Sequence, residues 1–158
     1  MESTFPTDQV LNFDFSHEVN IFAVLTAFGL KQFAPLLPAD HYEPDQQLIV
    51  SHMTPFATRL DIELIKSPQP VSERRLSKRS EYAQGGETTY IHFVLNQRTI
   101  PLGKSIPVCG QRADGWCELN AFLAFQANAL EQSQYDYACT GDYVPPAWGD
   151  VNNGAPPS

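Results

Sequence analysis

The chain lacks long apolar runs, an excess of basic residues and the close spacing of histidines or cysteines that marks a metal site. No run approaches the roughly 18 to 20 apolar residues of a membrane span, so we expect no membrane association. Ten lysines and arginines stand against 18 aspartates and glutamates, and this formal charge of −8 argues against nucleic acid as a partner. There is no H-x-x-x-H or C-x-x-C spacing, and we expect neither a metal nor a cofactor.

The sequence also shows no targeting segment and contains few cysteines. Residues 1–4 show neither a basic n-region nor an apolar h-region, so this chain shows no signal peptide. The cysteines are Cys109, Cys117 and Cys139, an odd number. One thiol is therefore free, or bonded to something outside this chain.

What is present reads as one globular domain, with 158 residues and 42% hydrophobic content. Alternation predicts a strand over residues 10–15. The apolar side chains of Ile21, Val24, Leu25 and Phe28 then fall on one helical face, and Gly29 is placed to end that helix.

Further along, the pattern predicts a short strand at 48–50, a strand at 57–65, a β-hairpin over 90–102, a helix from Glu118 and a disordered tail at 144–158. This order indicates an α/β domain with a partial mixed sheet and flanking helices. One strand feeding one helix is too little for a doubly wound fold, so the other strands resemble the edge of a sheet begun elsewhere.

The candidate site is the corner Ser16-His17-Glu18-Val19-Asn20, where the predicted strand meets the helix. Imidazole is cationic below pH ~6.5 and can hold a phosphate. A carboxylic acid beside bound phosphate stays protonated because of like charge, and can give a proton to a leaving alkoxide. In the alternative interpretation, Ser16 is only a helix N-cap and Glu18 a dipole-compatible first-turn residue. The local pattern leaves both open.

The other candidate residues have simpler interpretations. His41, His52 and His92 lack metal-ligand spacing, and we expect surface or packing roles for them. Arg59 is expected to pair with a carboxylate. The basic run at Arg74-Arg75 is interpreted as a solvated insertion, with a phosphorylation or cleavage site as the alternative.

A resemblance that extends over a longer stretch supports the functional interpretation of the corner. The segment FDFSHEVNIFAVLTAFGL resembles the C-terminal signature of the histidine acid phosphatases, in particular their fungal acid phosphatase and phytase branch. Later segments resemble the same branch in the same order: TPFATRLDIELI, YIHFVLNQRTIPL, CGQRADGWC, WCELNAFLAFQ and YACTGDY. The resemblance covers about residues 10 to 143 and implies the C-terminal part of a histidine-phosphatase α/β/α domain.

The resemblance implies a role for each residue of the corner. His17 matches the second active-site histidine, which binds the phosphoryl group, and Asn20 matches the asparagine near the substrate. Glu18 stands where the family usually has a proton-donating aspartate, although the related multiple inositol polyphosphate phosphatases use glutamate there. The substrate class implied is a phosphate monoester, with inositol phosphates among the candidates.

One family element has no counterpart in the sequence. Histidine acid phosphatases carry an Arg-His-Gly-x-Arg-x-Pro motif, whose histidine is phosphorylated and whose arginines clamp the phosphate. None of the four histidines here follows an arginine or precedes Gly and Arg. We therefore expect the isolated chain to be inactive, and residues 1–143 to be the C-terminal portion of an acid phosphatase or 3-phytase whose N-terminal part is missing.

The cysteines agree with this view. The resemblance implies a disulfide between Cys109 and Cys117, and a partner for Cys139 in the earlier part of the enzyme. A disulfide points to an oxidising setting, so the implied location is secreted or extracellular. The competing hypothesis is a truncated, non-catalytic relative that folds alone and at most binds phosphate esters.

Overall fold

The computed structural model describes residues 9–35, 38–41, 43–44, 47–72 and 83–141, without the side chains of residues 130 and 138. Its helices are α1 (Glu18–Ala27), α2 (Val50–Met53), α3 (Leu119–Gln132) and α4 (Tyr135–Thr140). Its strands are β1 (Leu60–Ser67), β2 (Thr88–Leu95), β3 (Arg98–Ile100) and β4 (Cys117–Glu118). The expected tail at 144–158 and the basic run at Arg74-Arg75 lie outside the described residues.

The sheet is built on β2. Strand β1 pairs with the whole of β2, from Leu60 opposite Leu95 to Ser67 opposite Thr88. On the other edge of β2, β3 pairs with its C-terminal end and β4 with its N-terminal end. The two residues between β2 and β3, Asn96 and Gln97, have φ of 49° and 66°. Positive φ at both positions is the signature of a type I′ turn, so the predicted hairpin is confirmed.

The core lies on one face of this sheet, under α1 and α3. Alternate residues of β2 point toward it, and Phe93 is fully buried. Its ring lies 5.0 Å from that of Phe28, just after α1, and 5.8 Å from that of Phe122 in α3. Because aromatic side chains bury large apolar areas, this contact among three rings helps to pack the end of α1 and α3 against the sheet.

Helix α1 begins and ends where the sequence predicted. Gly29 has a φ of +71°, its N–H donates to the Thr26 carbonyl, and the Leu30 N–H donates to the Leu25 carbonyl. This pair of bonds is a Schellman motif, which satisfies the last carbonyls of the helix. Leu25 and Leu30 are both buried, so the same turn anchors α1 in the core.

Two predicted strands are wrong. Residues 10–15 form no strand, because no neighbouring strand in the described part of the chain supplies their hydrogen bonds. Residues 48–50 lead into α2 instead, where the Ile49 carbonyl accepts from the His52 and Met53 N–H groups. Helix α4 was not predicted.

The α/β class with flanking helices is confirmed. The three strand pairings of the described sheet are all antiparallel, so the parallel pair that a mixed sheet would add is not found among these residues. The predicted strand at 10–15, which was expected to lead into the following helix, does not form and adds no strand to this sheet.

Candidate phosphate-binding corner

The corner is a change of backbone direction at His17. This residue has extended φ and ψ of −96° and 159°, and it is the N-cap of α1. The Asn20 N–H donates to the His17 carbonyl at 3.0 Å, which closes the first helical turn. Ser16 is therefore not the N-cap, and the interpretation of the corner as a Ser16-capped helix start is wrong. The His17 imidazole makes no capping bond.

His17 and Glu18 present their side chains to solvent. Both side chains are exposed, and neither side chain has a hydrogen-bond partner among the described residues. Glu18 is the first residue of α1, where unpaired backbone N–H groups favour a negative charge. The imidazole and the carboxyl group therefore belong to consecutive exposed residues at a helix start, and with the helix N–H donors they have the chemistry to hold and protonate a phosphate ester.

Asn20 is also exposed, but its amide is engaged. Its Nδ2 atom donates to the hydroxyl oxygen of Ser16, one turn earlier. An asparagine amide has two N–H donors, so the second one is not bonded to any of the described residues. The contact with Ser16 fixes the direction in which that donor points.

The remaining histidines lie in other elements. The Nδ1 atom of His41 is 2.8 Å from Asp40 Oδ1, and His52 lies exposed in α2. No group of three or more His, Cys, Asp or Glu side chains that could hold a metal occurs among the described residues. Arg59 Nε donates to Asp61 Oδ2 at 2.9 Å, so the expected ion pair is confirmed.

The packing role expected for His92 in β2 is specific, and the sequence alone did not show its partners. Its Nδ1 lies 2.8 Å from Glu63 Oε2, and its Nε2 lies 3.0 Å from Thr99 Oγ1. Glu63 and His92 are direct cross-strand partners. The sequence would have predicted this pair if the register between β1 and β2 had been known.

A second polar cluster holds the disulfide loop and was also missed. Arg112 makes two bonds to Asp114, Nε to Oδ1 at 2.9 Å and Nη2 to Oδ2 at 2.7 Å, and Nη1 donates to the Val71 carbonyl. The guanidinium lies 5.3 Å from the centre of the Tyr90 ring and 6.0 Å from that of Trp116. The R-x-D spacing inside a short loop was the available signal.

A shallow cleft lies beside this cluster, with a volume of about 420 Å³. Thr88, Tyr90, Arg112 and Glu118 are among its lining residues, and His17, Glu18 and Asn20 are not. The cleft and the corner are therefore separate features. The predicted disulfide between Cys109 and Cys117 is present, and Cys139 is a free, exposed thiol.

The comparisons with known proteins identify the family. The family model described as histidine phosphatase superfamily (branch 2) matches residues 1–96, well over half of the chain. The chain therefore belongs to this superfamily, and its function is phosphatase-like. A search of curated proteins and a search of solved structures each find no match. The matched range contains the corner, α1 and β1, and it stops before the disulfide loop and α3.

Among the described residues, no helix has the length and apolar character needed to cross a membrane.

Proposed function

We propose that this chain contributes one wall of a phosphomonoester hydrolase site of the acid phosphatase and phytase type. The observation that carries the proposal is that the superfamily match spans the corner where His17 and Glu18 lie side by side, open to solvent, at the start of α1. In this proposal residues 1–143 are the C-terminal portion of the domain. The N-terminal portion of the same enzyme supplies the nucleophile.

The proposed chemistry divides between the two portions. A histidine outside this chain attacks phosphorus, and the bond between phosphorus and the ester oxygen breaks. The Glu18 carboxylic acid gives its proton to the departing alkoxide. The His17 imidazolium and the first N–H groups of α1 stabilise the charge on the phosphoryl oxygens, and the free Asn20 N–H donates to one of them.

Glutamate in the donor position has a consequence for geometry. Its side chain is one methylene longer than aspartate, and a misplacement of about 1 Å in a catalytic group can cost on the order of a hundredfold in rate. The exposed Glu18 side chain has room to adjust its rotamer. The substrates proposed are phosphate monoesters, inositol phosphates included.

The cysteines support a secreted enzyme in this proposal. The disulfide is the type of crosslink that persists in oxidising compartments. The free, exposed thiol of Cys139 is then available to a cysteine of the N-terminal portion.

The test compares the chain alone with the chain joined to an upstream segment that carries Arg-His-Gly-x-Arg-x-Pro. We expect no hydrolysis of p-nitrophenyl phosphate by the chain alone. We expect turnover by the joined protein, abolished by His17→Ala and strongly reduced by Glu18→Gln. Glu87→Gln, an exposed carboxylate outside the corner, is the matched control and should leave turnover unchanged. Turnover by the isolated chain that disappears in His17→Ala would contradict the divided site.

A second candidate function is phosphate-ester binding without turnover. It is favoured by the complete exposure of the corner and by the absence of an Arg-His-Gly motif from the sequence. In this case inorganic phosphate should shift the His17 imidazole resonances in NMR, and the shift should be absent in His17→Ala. A flat titration of the wild-type chain would rule binding out.

A further inference from the structure

Three side chains outside the corner form a hydrogen-bonded chain across the solvent face of the sheet. They are Glu63 in β1, His92 in β2 and Thr99 in β3. Oε2 of Glu63 is 2.8 Å from Nδ1 of His92, and Nε2 of His92 is 3.0 Å from Oγ1 of Thr99. A carboxylate, an imidazole and a hydroxyl group therefore follow one another in the arrangement that nucleophilic hydrolases use. This arrangement is recognised by geometry and by the role of each group, whatever their order in the sequence.

The burial and the bonding of the three residues suit these roles. Thr99 is exposed, so reagents in solution can reach it. The His92 side chain is only 12% exposed and is bonded through both ring nitrogens, which holds the ring in one orientation. Because an ionised carboxylate only accepts hydrogen bonds, Nδ1 carries a proton toward Glu63. In the neutral ring, Nε2 is then the acceptor for the Thr99 hydroxyl proton.

An aromatic side chain lies beside this chain of bonds. The rings of Trp116 and His92 have their centroids 6.4 Å apart, and Trp116 is only half-buried. Its ring offers an apolar surface on which a planar aryl group can stack. An aryl oxide is also a stable leaving group, so its departure needs little help from additional donors. These features favour small aryl esters of carboxylic acids as substrates.

We propose that Glu63, His92 and Thr99 form a separate hydrolytic site that cleaves activated carboxylic esters through an acyl-threonine. Oγ1 of Thr99 attacks the ester carbonyl carbon, and its proton passes to Nε2 of His92. The bond from that carbon to the aryl oxygen breaks, and the aryl oxide leaves with the electron pair and takes up the proton. Water then attacks the acyl carbon and gives a proton through His92 to the departing Thr99 oxygen, which releases the carboxylic acid. This activity does not depend on the proposed phosphatase function.

The test is an assay with p-nitrophenyl acetate on the full chain carrying Cys139→Ser, which removes the free thiol. We expect a stoichiometric burst of p-nitrophenol followed by slower turnover, because an acyl intermediate accumulates. Thr99→Val and His92→Gln should each lower the burst rate roughly a hundredfold, the lower range of what a positioned general base contributes. Thr99→Ser keeps a hydroxyl group and should retain the burst.

Glu63 acts through His92 and is a positioning residue. Glu63→Ala should slow the burst, and Glu63→Asp, which keeps the carboxylate, should restore part of the rate. His41 provides the matched control, because its Nδ1 is also 2.8 Å from a carboxylate oxygen, that of Asp40. No hydroxyl group of the described residues is bonded to the His41 ring. His41→Gln should therefore leave the burst unchanged.

The position of the acyl group gives a readout that does not rely on any change at the site itself. After an acid quench during the burst, mass spectrometry of peptides should place the acetyl group on Thr99. The absence of a burst overturns the proposal, and so does an acetyl group found on lysine instead of Thr99. A burst that persists in Thr99→Val overturns it too, since a different group would then attack the ester.

Discussion

The imidazole Nδ1 of His92 and the carboxylate Oε2 of Glu63 lie 2.8 Å apart across the β1–β2 ladder. The His92 side chain is only 12% exposed, and its other nitrogen meets the Thr99 hydroxyl on β3. Three strands are therefore linked through one ring on the solvent face of the sheet. On the opposite face β1 and β2 pair apolar residues, Ile62 with Phe93 and Leu64 with Ile91, and the link through His92 stabilises the same register.

The first prediction concerns this link. Glu63→Ala should lower the free energy of unfolding by about 0.5–1 kcal/mol, because the carboxylate is half exposed and cross-strand pairs of this kind contribute modestly. Urea denaturation measures the change. A double-mutant cycle with His92→Ala isolates the coupling between the two side chains. Glu87→Ala, which removes an exposed carboxylate outside the strands, is the control. An equal loss of stability in Glu87→Ala would show that the effect of Glu63→Ala does not come from its bond to His92.

The second prediction concerns the disulfide. Cys109 and Cys117 are eight positions apart and both buried. Replacing both with serine should lower the free energy of unfolding by roughly 2–3 kcal/mol, as loop-closure entropy for a short loop predicts. Thermal unfolding with and without a reductant gives an independent measure. Cys139→Ser should leave the unfolding temperature unchanged, since that thiol is exposed and unbonded.

The third prediction concerns the ion pair of the disulfide loop. The side chains of Arg112 and Asp114 are each 8% exposed. Asp114→Ala leaves a buried guanidinium without its partner and should lower the free energy of unfolding by about 3–5 kcal/mol. The double change Arg112→Met with Asp114→Leu removes both charges and should cost clearly less. If the single variant lost no more than about 1 kcal/mol, the pair would behave as a surface salt bridge and the burial argument would fail.

The fourth prediction concerns the hairpin turn. Gln97 has a φ of 66°, a conformation that costs an L-residue about 1 kcal/mol and costs glycine little. Gln97→Gly should therefore raise the free energy of unfolding by about 0.5–1 kcal/mol, giving the Asn-Gly pair that type I′ turns prefer. Gln111→Gly, at an exposed position outside the strands, is the control. It tests whether any glycine introduced into an exposed loop raises the free energy of unfolding. A destabilised Gln97→Gly variant would show that its side chain contributes more than the backbone conformation costs.

Some of the fold could be predicted from local pattern because the determinants are local. Helix α1 has its apolar spacing and its Gly29 terminator within a dozen residues. The hairpin has its two strands and its turn in one continuous segment. In both, the partners of each hydrogen bond lie near in sequence, so periodicity and turn chemistry suffice.

The misses required information from far along the chain. Alternation at residues 10–15 suggests a strand, but a strand forms only where another strand supplies its hydrogen bonds. The Arg112 cluster depends on Val71, 41 positions away. For the site, the sequence placed His17, Glu18 and Asn20 at a helix start, and the structure agrees. It did not show that His17 is itself the N-cap, because Ser16 is the stronger cap by residue type.

Asn96 turns the hairpin and also reaches outside it. Its Oδ1 accepts from the Arg59 N–H just before β1, and its Nδ2 donates to the carbonyls of His52 and Met53 in α2. A two-residue hairpin closes within about 1–10 µs, much faster than contacts over tens of residues. We therefore expect the turn to form first in folding. The Asn96 amide can then bond to α2 and to the start of β1 when these segments reach it.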